Sequence, residues 1–130
     1  MKQLLVLLFS FFYMGLWAGG LQAQNKSSNN ASSVKQGTAS FYADKFKGRV
    51  MANGKKYDPN KLTAASNRYD LGTWVKVKNL SNKKTVVVQI TDRMHPGNKR
   101  LIDLSKAAAK KLGFISKGVT KVEIEIVKRP

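Results

Sequence analysis

Short apolar segments separated by turn residues fill the chain from Gly37 onward, and this pattern limits the folds that it can adopt. Residues 73–78 and residues 122–126 alternate apolar with polar side chains, which predicts two strands that each bury one face. Residues 85–91 predict a third strand, and the unbroken run of valines at 86–88 indicates burial on both of its faces. A chain built from such short strands is expected to form a small β-domain.

One segment of the domain is typical of an α-helix. Ser105 is a suitable N-cap, the alanines at 107–109 favour a helix, and Gly113 supplies a C-terminal stop. A further strand is predicted at 38–42. We therefore predict a mainly β fold with one short helix. We expect the strands to close into a barrel, because closure removes the strand edges that an exported monomer would otherwise expose.

The first 36 residues are not expected to join this domain. Residues 4–17 form an apolar run after a basic start, and the run is shorter than the roughly 20 residues that a spanning helix needs. We interpret residues 1–23 as a secretory signal peptide cleaved near Ala23, with an uncleaved membrane anchor as the alternative. Residues 24–36 are rich in Ser and Asn and predict a flexible linker, which leaves residues 37–128 as the folded domain.

The charge and cysteine content narrow the chemistry further. The 130 residues include 24 Lys and Arg but only 7 Asp and Glu, and the net charge is +17. A chain without cysteine has no disulfide, no thiol nucleophile and no lipid-modified cysteine. The lone histidine, His95, excludes a multi-histidine metal site. We therefore expect no cofactor, no metal ion and no lipoprotein anchor, and we expect no membrane span once the signal peptide is removed.

The basic charge indicates which partners an exported chain would meet. It attracts polyanions over long distances, although charge alone does not select one of them. If the source is bacterial, the expected partners are peptidoglycan strands and other anionic wall polymers, in the periplasm or the extracellular cell wall. Nucleic acid would be attracted as well, but export argues against it as the ligand. A soluble basic surface with no anionic partner is the alternative, and the oligomeric state stays open.

Several short motifs follow one another in a fixed order along the domain. They are GTASFY at 37–42, FKGRVMANG at 46–54, LTAA at 62–65, LGTWVKVKNL at 71–80, TDR at 91–93 and RLIDLSKAAA at 100–109. In this order they resemble the rare lipoprotein A (RlpA) family over residues 37–127. The resemblance implies a six-stranded double-psi β-barrel, a fold shared with expansins and some endoglucanases, so that the fold alone does not fix an activity.

The same resemblance implies a reaction. Members of the family include septal-ring lytic transglycosylases, which cleave peptidoglycan between N-acetylmuramic acid and N-acetylglucosamine and leave a 1,6-anhydro end. A carboxylic acid can protonate the departing glycosidic oxygen, and its conjugate base can then accept the proton of the sugar's own C6 hydroxyl. Because no water has to be positioned, the paired carboxylates of ordinary glycoside hydrolysis are not required.

Asp92 is the candidate for that acid. It matches the family's Asp-Arg motif and follows the predicted strand at 85–91, so it is expected at the strand's exit. Arg93 could hold substrate or support the local backbone. The structural alternative is a turn with a local ion pair between these two residues. His95 lies three residues after Asp92 and could compensate for missing family residues, although a lone loop histidine is more often a surface residue.

Two positions depart from the pattern of active relatives. Lys55 stands where the family has Glu after Asn-Gly, and Ser66 stands where it commonly has His after Thr-Ala-Ala. If Lys55 faced the same groove as Asp92, its charge would favour the ionised carboxylate and leave less of the acid form. Ser66 can hydrogen-bond substrate but does not titrate near neutral pH as histidine does.

The remaining candidates concern binding and support. We expect substrate contacts from aromatic rings that stack on sugars and from polar side chains near the proposed acid; they are Tyr42, Arg49, Asn53, Lys55, Ser66, Trp74 and Arg93. Trp74 is expected to share an exposed face with Lys76 and Lys78. Asp103 is expected to cap the following helix or to support the barrel crossover rather than to take part in the chemistry.

The sequence alone leaves three possible functions. The first is an exported endolytic transglycosylase with Asp92 as general acid and base. The second is a non-catalytic, expansin-like peptidoglycan-binding module, which Lys55 and Ser66 favour. The third is a secreted adaptor that binds another protein.

Overall fold

A computed structural model describes residues 34–130 and contains a closed six-stranded barrel with one α-helix. The elements are β1 (Val34–Phe41), a short 3-10 helix (Asp44–Phe46), β2 (Thr63–Ala65), β3 (Trp74–Asn79), β4 (Thr85–Asp92), β5 (Ile102–Leu104), α1 (Lys106–Leu112) and β6 (Thr120–Val127). Around the barrel the strands follow the order β1-β5-β2-β4-β3-β6. The pairs β1–β5 and β2–β4 are parallel, and the others are antiparallel. The predicted mainly β barrel is confirmed.

Alternating side chains build the barrel core as the sequence predicts. Val75 and Val77 of β3 are fully buried, whereas Trp74, Lys76 and Lys78 lie on the outer face. The other five strands and the helix add further buried apolar side chains; they include Ala39, Ala64, Val88, Ile90, Ile102, Leu104, Leu112, Val122 and Ile124. Burial of this apolar surface is the main favourable term for the fold.

The valine run of β4 is not buried on both faces, so that prediction is wrong. Val86 and Val88 point into the core, but Val87 lies half-buried on the outer face. The reason is that only the inner face of this barrel wall is packed against other strands. Val87 instead lines a shallow depression outside the barrel, together with Trp74.

The start of the domain lies earlier than predicted. Residues 34–36, assigned to the linker, belong to β1 and pair with Glu125, Ile124 and Glu123 of β6. Backbone pairing with a neighbouring strand decides their structure despite their polar surroundings. The predicted signal peptide at 1–23 and the rest of the linker lie outside the described residues. Within residues 34–130, none of the helices has the length and apolar character needed to cross a bilayer.

The helix begins and ends where the sequence predicts. The Ser105 hydroxyl accepts a hydrogen bond from the backbone N–H of Ala108 at 3.3 Å. Gly113 follows the last turn with φ of 74°, a left-handed conformation that favours glycine. Between these caps, α1 buries Ala108, Ala109 and Leu112 against the barrel.

Candidate functional site

Four strands place a row of small and acidic residues side by side across one end of the barrel wall. Ser40 of β1 pairs with Asp103 of β5, Asp103 also faces Ala65 of β2, and Ala65 in turn faces Asp92 of β4. Successive side chains of a strand point to opposite faces. Because Ile102 is fully buried in the core, its neighbour Asp103 points outward. The row therefore holds one carboxyl group on each side of Ala65, that of Asp92 and that of Asp103, and both lie outside the core.

A local irregularity in β4 turns Asp92 outward. Ala64 pairs with Ile90 but Ala65 pairs with Asp92, so Thr91 is an extra residue in β4. Such a bulge reverses the alternation of the strand beyond it. Ile90 and Thr91 are both buried, whereas Asp92 is only half-buried. Regular alternation would have placed Asp92 on the same face as Ile90, inside the barrel.

Three donors fix the carboxyl group of Asp92. The Tyr42 hydroxyl donates to Oδ2 at 2.6 Å, and the backbone N–H groups of Ala52 and Arg93 donate to Oδ1 at 2.9 and 2.8 Å. Hydrogen bonds to a carboxylate are short and strong when the donors are already in place. The carboxyl group is therefore held in one orientation by three different parts of the chain.

Two stacked tyrosines form the wall beside Asp92. The rings of Tyr42 and Tyr57 lie 4.2 Å apart and 12° from parallel, and Phe46 meets Tyr42 edge-on at 6.1 Å. Burial, and then the hydrogen bond to Asp92, raise the pKa of Tyr42 far above its usual value. Burial also raises the pKa of Tyr57. Tyr42 therefore stays protonated around neutral pH and acts as a donor to Asp92.

An open groove of about 570 Å³ lies over this arrangement. Five of the residues predicted from the sequence line it: Tyr42, Arg49, Asp92, Arg93 and His95. Phe41, Phe46 and Val50 add apolar walls, while Arg100 and Asp103 add a second charged pair. The volume falls in the range of about 300–1,000 Å³ that is usual for small-ligand sites.

Asp103 lines this groove, and the first of its two predicted roles, capping of the helix, is wrong. It lies in β5, and Ser105 caps α1 instead. Its carboxylate accepts hydrogen bonds from the Ser40 hydroxyl and from Arg100, whose Nε and Nη2 lie at 2.9 and 3.2 Å. This pairing raises the pKa of Arg100. The alternation with buried Ile102 could have revealed the outward position of Asp103 from the sequence.

Arg93 supports the backbone of the loop after β2, which is one of the two roles that the sequence leaves open for it. Its Nη1 donates to the carbonyl oxygens of Ser66 and Tyr69, which ties the loop after β2 to the end of β4. Within residues 34–130 no salt bridge joins Arg93 to Asp92, so the structural alternative of a local ion pair is not observed. His95 lines the groove, and its Nδ1 accepts a hydrogen bond from the backbone N–H of Gly97 at 3.2 Å.

Four other candidates do not line the groove. Ser66 is fully buried and its hydroxyl donates to the carbonyl of Leu101 at 2.8 Å, so it is not presented to a ligand. The side-chain oxygen of Asn53 accepts the backbone N–H of Lys55 at 3.0 Å and shapes its own loop. Lys55 lines a separate depression, and Trp74 lines another one on the outer face of the barrel. Lys55 and Asp92 therefore do not line the same groove, and the condition under which the lysine would favour the ionised carboxylate is not met.

Comparison with known proteins identifies the family. The profile of the lytic transglycolase family matches residues 34–124. The endolytic peptidoglycan transglycosylase RlpA of Haemophilus influenzae is 46% identical over 101 residues, which are 77% of this chain and 35% of that protein. The chain thus spans about a third of the length of this curated relative.

Solved structures agree on the fold. The Streptomyces papain inhibitor superposes with a TM-score of 0.59 at 26% identity, over 75% of this chain and 96% of that one. An expansin from Clavibacter michiganensis gives a TM-score of 0.58 at 27% identity, over 75% of this chain and 52% of the expansin. Taken with the family match over residues 34–124, these similarities establish that the chain belongs to the RlpA-like lytic transglycolase family of double-psi β-barrels.

Proposed function

We propose that this protein is an exported endolytic lytic transglycosylase that cuts peptidoglycan strands between N-acetylmuramic acid and N-acetylglucosamine. The observation that carries the proposal is the Asp92 carboxyl group, held by three donors at the edge of an open groove. Relatives that share close to half of their matched residues with this chain are named endolytic peptidoglycan transglycosylases, which supports the choice of polymer. Export to the periplasm or wall follows from that substrate.

The proposed reaction uses Asp92 for both proton transfers. In its acid form Asp92 donates a proton to the glycosidic oxygen, and the bond from that oxygen to C1 of the muramic acid residue breaks. The C6 hydroxyl oxygen of the same sugar then bonds to C1, and its proton passes to the Asp92 carboxylate. The products are a free hydroxyl on one strand and a 1,6-anhydro end on the other, and Asp92 returns to its acid form.

The neighbours of Asp92 orient this group. Tyr42 keeps its proton because its pKa is raised, so it holds Oδ2 throughout the cycle. The fixed N–H groups of Ala52 and Arg93 hold Oδ1. Preorganised donors of this kind cost little reorganisation during the reaction. Arg49 and His95 lie where they can contact the sugar chain.

A non-catalytic peptidoglycan-binding module is the second candidate. Two observations favour it: Lys55 and Ser66 stand where the family resemblance implies an acid and a histidine, and the hydroxyl of Ser66 is buried in a bond to Leu101. Neither residue can then replace the acid and the histidine that the family resemblance implies. The expansin-like architecture is compatible with binding alone.

Digestion of purified peptidoglycan separates the two candidates. We expect new 1,6-anhydromuramic ends by mass spectrometry, and we expect Asp92→Asn to lower their rate of formation by about 100-fold or more. Asp70→Asn is a matched control, because this acid is exposed and lies outside the residues that line the groove. Co-sedimentation with intact wall and no new ends would leave the binding module as the function.

A further inference from the structure

An aromatic depression lies on the outer face of the barrel, where Trp74 does not line the groove. Its volume is about 750 Å³, and we call it the Trp74 depression. Residues of β3 and β4 line it side by side: Trp74 pairs with Gln89, and Val87 lies two residues before Gln89 on the same strand. All three side chains are half-buried, so part of the indole ring faces solvent.

The polar groups around Trp74 suit a sugar. An aromatic ring packs its face against the C–H groups of a pyranose, and the hydroxyl groups of the sugar need donors and acceptors beside that face. Thr63 of β2 and Gln89 supply such groups in the lining. One N–H of the Gln89 amide donates to the carbonyl oxygen of Gly72 at 3.3 Å. This bond holds the amide in place and leaves its carbonyl oxygen as an acceptor for a ligand.

The charge of the Trp74 depression has one sign. Lys61 and Lys111 line it, and no acidic side chain does. Neither lysine forms a salt bridge within residues 34–130. A concave surface lined by one sign of charge concentrates ligands of the opposite sign. The chemistry that fits this depression is therefore a pyranose that carries a carboxylate.

Strand register sets how far the depression lies from the proposed acid. Gln89 precedes Asp92 by three residues in β4, so about 10 Å of extended strand separates their Cα atoms. Trp74 pairs with Gln89 on the neighbouring strand, about 5 Å across the sheet. Gln89 and Asp92 both lie on the outer face, because the bulge at Thr91 shifts the alternation between them. The depression is therefore within reach of a long polymer bound at Asp92.

We propose that the Trp74 depression is a second, non-catalytic binding site for a glycan strand that carries carboxylates. A pyranose stacks on Trp74, and its carboxylate lies near Lys61 and Lys111. The inference rests on the proposed function for the identity of the polymer, which is peptidoglycan glycan. A second contact on the same polymer acts at a high local concentration, so it holds the strand beside the groove without taking part in bond cleavage.

The fluorescence of Trp74 reports the proposed contact directly. The sequence has two tryptophans, so Trp17→Phe leaves Trp74 as the only one in the full chain. This protein also carries Asp92→Asn, so that strands are not cut. It is titrated with soluble glycan strands freed of peptide, in which each muramic acid has a free carboxylate. We expect a saturable change in the intensity and wavelength of tryptophan emission.

Calorimetric titration of the same strands tests the role of the ring. Trp74→Leu keeps an apolar side chain but removes the flat aromatic face, and we expect binding to weaken by about tenfold. Trp74→Tyr keeps a ring that can stack, so its affinity should stay within about threefold of the parent. Ile126→Ala is the matched control, because this exposed apolar residue does not line the depression. It should bind as the parent does.

A neutral polymer tests the role of the lysines. An oligomer of N-acetylglucosamine of matched length has no carboxylate, and we expect it to bind about fivefold more weakly than the glycan strands at low salt. Lys61→Gln with Lys111→Gln should bring this ratio to within about twofold. Lys47→Gln with Lys56→Gln removes the same charge from a different depression and should keep the ratio.

Three results would overturn the proposal. The first is binding of the strands with no change in Trp74 fluorescence. The second is an equal loss of affinity in Trp74→Leu and Trp74→Tyr, because the ring would then not act by stacking. The third is equal affinity for the neutral and the carboxylate-bearing polymer.

Activity measured in parallel separates this inference from the proposed function. With Asp92 intact, Trp74→Leu should raise the KM for anhydro-end formation more than it lowers kcat. If wild-type protein forms no anhydro ends but the fluorescence titration saturates and depends on the ring, catalysis fails and the second site stands. If anhydro ends form and Trp74 shows no response to the strands, catalysis stands and the second site fails.

Discussion

The groove contrasts with a second depression, the lysine depression, which Lys47, Lys55, Lys56, Lys61 and Asp58 line. The two share a wall of stacked tyrosines, Tyr42 and Tyr57, but hold their charged groups in different ways. In the groove, Asp92 accepts three hydrogen bonds and Asp103 is paired with Arg100. In the lysine depression, the four ammonium groups form no salt bridge with residues 34–130. The groove thus depends on exact positions set by the barrel, whereas the lysine depression depends on charge that acts over several ångströms and tolerates mobile side chains.

The largest expected effect is on stability and distinguishes the two regions. Ile90→Ala removes a fully buried side chain two residues before Asp92, and we expect a loss of about 2–5 kcal/mol in the free energy of unfolding. Lys56→Gln, in the lysine depression, should change it by less than about 0.5 kcal/mol. Urea denaturation followed by circular dichroism measures both. Similar losses in the two variants would contradict the contrast.

The next effect concerns the shared wall. Tyr42→Phe keeps the stacked ring but removes the donor to Asp92, so we expect the rate of anhydro-end formation to fall by about tenfold to 100-fold. Tyr57→Phe is the matched control, because its hydroxyl only accepts the backbone N–H of Lys106, at 3.2 Å. Retention of the full rate in Tyr42→Phe would mean that Asp92 needs no such donor.

A smaller effect is expected from salt. Raising the ionic strength from 0.1 to 1 M shortens the screening length from about 10 Å to about 3 Å. The rate of anhydro-end formation at a saturating concentration of glycan strands should then change by less than about twofold, because the bonds to Asp92 are direct contacts. Digestion at both salt concentrations measures this rate. A larger fall would mean that long-range charge, rather than direct contact, sets the rate.

The smallest effect is a difference in alkaline stability. The pKa of Tyr42 is raised in the folded protein, so above about pH 10 the unfolded chain loses this proton while the folded chain retains it. Its contribution to stability is therefore complete below pH 10 and declines as the pH rises further. Tyr42→Phe should lose less stability than wild type between pH 9 and about pH 11. Tyr57→Phe should show the same sign with a smaller change, and a steeper decline in Tyr42→Phe would refute the assignment.

Local patterns in the sequence predicted much of the barrel. The alternation of Val75 and Val77 with lysines gave the correct inner and outer faces of β3, and Ser105 and Gly113 marked the ends of α1. These features depend on residues that are neighbours in the chain, so a single sequence is enough to predict them. The valine run at 86–88 led to a wrong prediction of burial. Burial of the outer face depends on which other elements pack against it, and a local sequence pattern does not show this.

The site was predicted only in part, for a related reason. The sequence predicts that Asp92 and Tyr42 belong to the site, but it does not predict the 2.6 Å hydrogen bond between them, because the two residues lie 50 positions apart in the chain. The sequence predicts that Ser66 contacts substrate, yet its hydroxyl donates to the carbonyl of Leu101, 35 positions away. The sequence predicts that Asp103 caps the helix or supports the barrel crossover, and it does not reveal the groove position, because the pairing of Asp103 with Ser40 depends on the register of parallel strands.

Strand periodicity, the helix caps, the excess of positive charge and the motifs that mark the family can all be identified in the amino-acid sequence. The folded barrel was needed to show that a bulge at Thr91 turns Asp92 outward, that four lysines lie around Tyr57, and that Lys55 and Asp92 line different depressions. The physical reason is that periodicity and capping act within a few residues, whereas these placements depend on the register between strands distant in the chain.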